Sequence, residues 1–237
     1  MLVAEVDDEP VALAHVQLPA RREAWLEGIR VHPGHRRRGI ADALNRACCD
    51  WARERGALVA RLAIEVENVP PLRQVEALGW RPLAEWVYLV DRRGLERADP
   101  QLGPAPRPAT ADDLPAMVAA WDRSALRAPA GDLLAIGWLW RRMVAEDVAA
   151  GVMAGQAVVG ADGFALFQPA DEGVRIAWLE AAPAHVGPLV EAVRRRARDE
   201  GRAPPSAMLP ADPALLVTCA RLGLEPEAWL RVFGLEL

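Results

Sequence analysis

Val31-His32-Pro33-Gly34-His35-Arg36-Arg37-Arg38-Gly39-Ile40-Ala41 is the stretch whose reading decides the fold. It leads from a strand-like segment, Ala24 to Val31, into Gly39 to Glu54, where Ile40, Ala43, Leu44, Ala47, Cys48 and Trp51 recur at the spacing of an amphipathic helix. A strand that turns straight into a helix leaves several backbone N–H groups without an intrahelical partner, and the helix dipole adds partial positive charge there. Such a junction suits a phosphate. Gly39 lets an anion approach the backbone closely, Ala41 keeps the helix start uncrowded, and Arg36, Arg37 and Arg38 bring charge for a polyphosphate.

Upstream, Leu2 to Val6 and Val11 to Leu18 read as strands joined by the turn Asp7-Asp8-Glu9-Pro10. Downstream, Gly56 caps the helix, Leu58 to Val66 reads as a buried strand, Pro71 to Ala77 as a short helix and Leu83 to Val90 as a last strand. Residues 91 to 109 hold four prolines and two glycines with no periodicity, which makes 93–106 a linker between domains 1–92 and 107–237. After it, helices are expected over Leu114 to Arg127 and Leu133 to Ala149, strands over Gly151 to Gly160, Gly163 to Gln168 and Val174 to Glu180, and a helix over Val186 to Glu200. Thr110 or Asp112 is the candidate N-cap of the first of these helices.

Three landmarks recur across the linker. Ala24-Trp25-Leu26-Glu27 returns as Ala177-Trp178-Leu179-Glu180, Ala52-Arg53-Glu54-Arg55-Gly56 as Ala197-Arg198-Asp199-Glu200-Gly201, and Leu78-Gly79-Trp80-Arg81-Pro82 as Leu222-Gly223-Leu224-Glu225-Pro226. The pattern is that of an internal duplication. Glu27 and Gly56 lie 29 positions apart but Glu180 and Gly201 only 21, so the second copy has lost the loop; Ala182 to Pro188 stands in its place, and Pro188 removes a donor.

Arg36-Arg37-Arg38-Gly39-Ile40-Ala41 matches the Gln/Arg-x-x-Gly-x-Gly/Ala motif, and Val31-His32-Pro33 the Val-x-Pro lead-in, of the GNAT acetyltransferases, so the first hundred residues resemble that superfamily. Asn68, Pro71, Val75, Gly79 and Trp80 are similar to its Asn-x-x-Ala-x-x-x-Tyr-x-x-x-Gly-Phe segment, with Val75 where many members carry a tyrosine that protonates the leaving thiolate. Trp25 to Val31 resembles in particular the Leu-Glu-Gly strand of aminoglycoside-type N-acetyltransferases. The resemblance implies an α/β (α+β) chain of two GNAT-like domains, each a mixed, mostly antiparallel sheet flanked by helices, the second degenerate. The first domain lacks the usual first strand and two helices, which in this family wall the acceptor site.

The resemblance also implies acetyl-CoA as co-substrate, with no metal. Its pyrophosphate falls to Arg36, Arg37, Arg38, Gly39, Ile40 and Ala41, and its pantetheine arm to the backbone of a splayed strand at Ile29, Arg30 and Val31, with Asn68 beside it. Amine acetylation needs a proton removed as the tetrahedral intermediate forms, and Glu27 is the candidate base, directly or through water. Strand alternation puts Trp25, Glu27, Ile29 and Val31 on one face and Leu26, Gly28 and Arg30 on the other. The repeat of Glu27 at Glu180, in the copy without the loop, argues for a structural duty instead. The wall missing from the first domain is a role open to Trp138-Leu139-Trp140, otherwise a core helix.

Composition excludes several other classes. A net charge of −5 argues against a general nucleic-acid binder, and all 28 cationic side chains are Arg, which leaves no lysine chemistry. Ser124 and Ser206, the only serines, sit in no nucleophile elbow; Cys48, Cys49 and Cys219 lack metal or dithiol spacing; His32 and His35 have no further ligand nearby. Tyr88, the only tyrosine, is expected in the core. No apolar run is long enough for a membrane span and the start is not a signal peptide, so a cytoplasmic location is the default expectation; the resemblance implies a small-molecule or peptide amine as acceptor, and the state expected is a monomer or homodimer.

Overall fold

A computed structural model describes residues 1–94, 105–171 and 173–237. Most of the linker lies outside the described residues. In chain order the elements are β1 (Leu2–Val6), β2 (Glu9–Ala20), β3 (Glu23–Val31), α1 (Ile40–Glu54), β4 (Val59–Glu65), α2 (Val69–Ala77), β5 (Arg81–Asp91), β6 (Arg107–Pro108), α3 (Leu114–Asp122), α4 (Arg127–Ala130), β7 (Leu133–Ile136) and β8 (Leu139–Arg142). There follow α5 (Ala145–Met153), β9 (Ala157–Gly160), β10 (Gly163–Pro169), β11 (Val174–Ala181), α6 (Pro183–Asp199), β12 (Ser206–Pro210), α7 (Pro213–Arg221) and β13 (Leu224–Glu236).

Two compact units result: Met1–Leu83 with Leu139–Arg141 and Arg231–Leu237, and Ala84–Trp138 with Arg142–Leu230. In the first unit the sheet order is β1-β2-β3-β4 followed by the end of β13. β1 and β2 form a hairpin whose turn residues Asp7 and Asp8 both take positive φ (54° and 64°), the backbone that matches strand twist. β2 pairs antiparallel with β3, and α1 makes the crossover to the parallel β4. The core beneath α1 holds Leu44, Cys48, Cys49 and Ala52 of the helix with Ala14, Leu26, Leu62, Trp80 and Phe233.

In the second unit the order is β5-β12-β11-β10-β9-β6, antiparallel throughout except for β11 with β12. Within each unit the strand pairing is thus mixed and mostly antiparallel. Its core joins Val87 and Leu89 of β5 to Leu189, Val190 and Val193 of α6. Arg194 and Asp91 make a bidentate ion pair here, at 2.6 and 3.1 Å, with side chains 1% and 0% exposed. Most of β5 therefore belongs to the second unit, while the last residues of β13 belong to the first. The division into copies 1–92 and 107–237 remains our proposal for the duplication; the compact units exchange strands between those copies.

The second half departs from expectation at several places. Leu133 to Ala149 is a hairpin, β7 with β8, followed by α5, because Gly137 (φ 63°) and Asp132 (φ 55°) take left-handed backbone that ends any helix. Trp138-Leu139-Trp140 accordingly lies on a turn and a strand and not in a helix. α5 runs on to Met153 and shortens the strand expected from Gly151 to Ala157–Gly160. The helix expected from Leu114 to Arg127 stops at Asp122 and resumes as one turn, α4. Thr110 caps the 3₁₀ turn Ala111–Asp113 that leads into α3, bonded to Asp113, while the N-cap of α3 itself is Asp113 and neither Thr110 nor Asp112.

α6 begins at Pro183, so Pro183 and not Pro188 removes a donor from the helix start. Only Ala182 separates that helix from β11, and no loop remains to cradle an anion. Tyr88 is half-buried, with its ring 5.1 Å from that of Trp138 and the Arg175 guanidinium 5.2 Å away, in place of the expected core position.

Candidate active site

The loop between β3 and α1 folds as its sequence suggests. Pro33–His35 makes one 3₁₀ turn, in which Gly34 N–H donates to His32 Nδ1, and Arg37 (φ 61°) and Gly39 (φ 77°) then adopt left-handed backbone. Two left-handed residues this close curl successive N–H groups toward one concavity. The first helical bond runs from Ala43 N–H to the Gly39 carbonyl. Among the described residues nothing accepts from the N–H groups of Gly39, Ile40, Ala41 or Asp42. Four donors at a helix start are free for an anion.

These groups border a recess of about 340 Å³ lined by Val31, His35, Arg36, Arg37, Gly39, Ile40, Ala41, Asp42 and Gln74. That volume takes a diphosphate and little more, so the rest of a long nucleotide carrier must lie along the surface. Arg36 Nε donates to the Val31 carbonyl, and Arg38 donates to His35 Nδ1 at 3.1 Å, which fixes the imidazole as an acceptor at that atom. Gln74 donates to Asp42, the one acid of the recess. The donor set fits an anion bearing several negative charges.

β3 supplies the second part. It pairs with β4 only at Glu23, Ala24 and Trp25, so its β4-facing edge is unpaired from Leu26 to Val31. Strand alternation fails within this stretch. His15 faces Glu27 and Leu13 faces Arg30, which leaves two residues of β3, Gly28 and Ile29, opposite Ala14 alone. Gly28 takes φ 66°, the bulge geometry that glycine allows. Past the bulge, Ile29 and Val31 join Leu26 against the α1 core, while Trp25 and Glu27 share the other face. The expected common face of Trp25, Glu27, Ile29 and Val31 is therefore corrected.

Glu27 is the last residue before the bulge. Its Oε2 accepts from Trp25 Nε1 at 2.9 Å, and its Oε1 lies 2.8 Å from His15 Nδ1 and 3.4 Å from the donor Gln17 Nε2. In the second unit Trp178 Nε1 donates to Glu180 at 3.1 Å, so a Trp–Glu pair occurs in both units. Burial raises the Glu180 carboxyl above its ordinary range, opposed by hydrogen bonds from Ser124 and Trp178. Trp140, one of the hairpin residues that belong to the first unit, places its ring 5.5 Å from Trp25.

Of the sequence candidates, Val31 and Arg36 to Ala41 come together at the recess, apart from Arg38, which reaches it only through His35. Ile29 and Arg30 lie on the unpaired edge, and Asn68 is exposed at the start of α2 with no side-chain cap bond. Val75 is buried in the core, 5% exposed. His15 was missed: its pairing with Glu27 depends on the β2–β3 register, which two irregularities shift. Burial pushes Cys48 and Cys49 up to about 11 and Cys219 to about 12, which makes them inert as nucleophiles. No metal cluster is present among the described residues.

A parallel strand pair that splays after Trp25, next to a strand–helix junction with free N–H groups, is the arrangement on which the comparisons bear. Residues 1–80, a third of the chain, match the sequence model of the acetyltransferase (GNAT) family, and over nearly its whole length the chain is similar in fold to solved GNAT acetyltransferases. A GCN5-related N-acetyltransferase from Sphaerobacter thermophilus aligns over 97% of this chain and 78% of its own, at 17% identity and TM-score 0.67. A putative acetyltransferase from Thermoplasma acidophilum aligns over 99% and 77%, at 18% identity and TM-score 0.59. A tandem GNAT protein from the clavulanic acid biosynthesis pathway aligns over 99% and 81%, at 17% identity and TM-score 0.58. At these identities the likeness is one of fold. No curated protein matches the chain in sequence.

Proposed function

We propose that the chain is a cytoplasmic N-acetyltransferase that moves an acetyl group directly from acetyl-CoA to the amine of a small molecule or peptide, as a monomer or homodimer and without a metal. The observation that carries this reading is the set of four unpaired N–H groups at Gly39 to Asp42 beside the free edge of β3. Arg36, Arg37 and Arg38 and those N–H groups hold the diphosphate. The backbone of Ile29, Arg30 and Val31 takes the pantetheine arm as an added strand, and Asn68 flanks it. The thioester then lies at the mouth of the gap, beside Glu27 and the bulge.

Rate comes chiefly from holding thioester and amine in line and from main-chain N–H groups polarising the carbonyl. Attack forms the C–N bond and expels the CoA thiolate, and the nitrogen's surplus proton leaves toward the Glu27 group. The second copy, without an anion loop, carries no cofactor. A second reading, a CoA-binding regulator without transfer, draws on the burial of Val75 where a tyrosine acid is usual.

Calorimetry with CoA and acetyl-CoA, followed by free-thiol release from acetyl-CoA with spermidine, kanamycin and a peptide with a free N-terminus, separates the readings. Transfer predicts binding and amine-dependent thiol; tight binding with no amine-dependent thiol favours the regulator. Glu27→Gln is expected to cut turnover with little change in CoA affinity, and unchanged turnover removes Glu27 from the mechanism.

A further inference from the structure

The geometry points to His15 as the group that receives the amine proton, through Nε2, with Glu27 holding and balancing the imidazole; this rests on the transferase reading above. The argument starts from donors. An ionised carboxylate only accepts hydrogen bonds. Glu27 already accepts from Trp25 Nε1 at 2.9 Å and from Gln17 Nε2 at 3.4 Å, and its Oε1 stands 2.8 Å from His15 Nδ1. For that contact to be a bond, Nδ1 must carry the hydrogen. The neutral ring then presents a bare lone pair at Nε2, the arrangement in which a carboxylate fixes the tautomer of a basic imidazole.

Glu27 itself is a poor candidate for the direct step. Three donors take most of the roughly four acceptor directions of its two oxygens. The imidazole is open to solvent: its side chain is 45% exposed, against 39% for Glu27. Both residues stand at the place where β3 leaves β4, immediately before the Gly28 bulge.

The two copies provide an internal control. Both keep a tryptophan that donates to a glutamate two residues on, at 2.9 Å for Trp25–Glu27 and 3.1 Å for Trp178–Glu180. That pair is therefore part of the scaffold. What differs is the residue paired across the sheet: His15 faces Glu27, whereas Phe164 faces Glu180. The imidazole occurs only in the copy that has the anion loop. In the reaction the amine nitrogen bonds to the thioester carbon, its proton passes to His15 Nε2, and the imidazolium is stabilised by Glu27. The C–S bond breaks with the electron pair on sulfur; the thiolate takes a proton from water and His15 returns its own to water.

The test uses the whole 237-residue chain, His15→Ala and His15→Gln, with thiol release from acetyl-CoA on the three amines named above. Glutamine keeps a hydrogen-bonding amide beside Glu27 but cannot take up a proton. Both variants are expected to lose about 10²–10⁴-fold in kcat with CoA affinity unchanged, and added imidazole is expected to restore part of the His15→Ala rate. Nitrogen NMR of the wild type, with the His15 signals assigned by their loss in His15→Gln, should show the Nδ1–H tautomer. Wild-type rates in His15→Gln, or an Nε2–H tautomer, overturn the inference alone. A wild type that releases no thiol with any of the amines overturns the transferase reading and the proton route together.

Discussion

At residue 39 the backbone adopts φ +77°, and a Cβ placed there meets no atom within 4 Å. Space is therefore not the constraint; conformation and charge are. Gly39→Ala should cost about 1–2 kcal/mol for a left-handed alanine and weaken CoA binding only modestly. Gly39→Glu adds a carboxylate to the same strain, beside the proposed diphosphate. It is expected to weaken CoA at least tenfold by calorimetry while the far-UV circular dichroism stays that of the parent. A Gly39→Glu protein that binds like the parent removes the loop from the site.

Glu180 offers a residue-scale reading in the second unit. Burial raises its folded carboxyl above the usual 4.5, so the folded state favours the protonated form. The sign follows from linkage: this contribution to stability is fully present below the unfolded value and is lost as pH climbs through the folded one. Glu180→Gln, which cannot ionise, should therefore gain on the wild type as pH rises above 4.5, and the gap should close in acid. Denaturant titrations at a series of pH values check it, and a gap that widens toward acid contradicts the assignment.

Among the elements, β5 and α6 show how one buried contact can fix a whole strand. Arg194 donates to both oxygens of Asp91 and to the Leu222 carbonyl, with its side chain 1% exposed. Asp91→Ala strips the bidentate partner from a buried cation and leaves Glu191, 3.7 Å away, as its nearest acid. The expected loss is about 3–5 kcal/mol in chemical unfolding. Replacing the exposed partner pair Arg92–Glu227 should cost well under 1 kcal/mol in the same assay.

What the sequence made legible at this scale was local. The β3–α1 junction could be read because Gly39, the arginines and the helical spacing of Ile40 to Trp51 lie within one short window. The β7–β8 hairpin could not, since Leu133 to Trp140 carries apolar residues that suit helix and strand alike and only the backbone at Gly137 decides. His15 escaped for a related reason. Its partner is set by a strand register that the Gly28 bulge displaces, and no residue near His15 announces that bulge.

On the scale of the whole molecule, the first unit is not assembled from the first part of the chain alone. Arg231–Leu237 belongs to it, with Phe233 fully buried in the α1 core, Leu235 and Leu237 packed against that core, and Leu237 N–H donating to the Leu58 carbonyl. Such an exchange of final strands is invisible to a linear reading, which ends the first domain before the linker. It has a mechanical consequence for the site. α1 carries the N–H groups proposed to bind the diphosphate at one end and shares its core with Phe233, so the far C-terminus supports the loop without touching it. Phe233→Ala should cost about 3–5 kcal/mol, a large share of the roughly 5–15 kcal/mol by which domains are stable. A chain ending at Leu230, or residues 1–92 alone, loses Phe233 together with the β13 residues that lie beside β4. Both are expected to show no cooperative thermal transition for this unit and no calorimetric heat with CoA, although every residue from Ile29 to Ala41 is present. A 1–92 fragment that binds CoA as the full chain does would show instead that the first copy closes its own core.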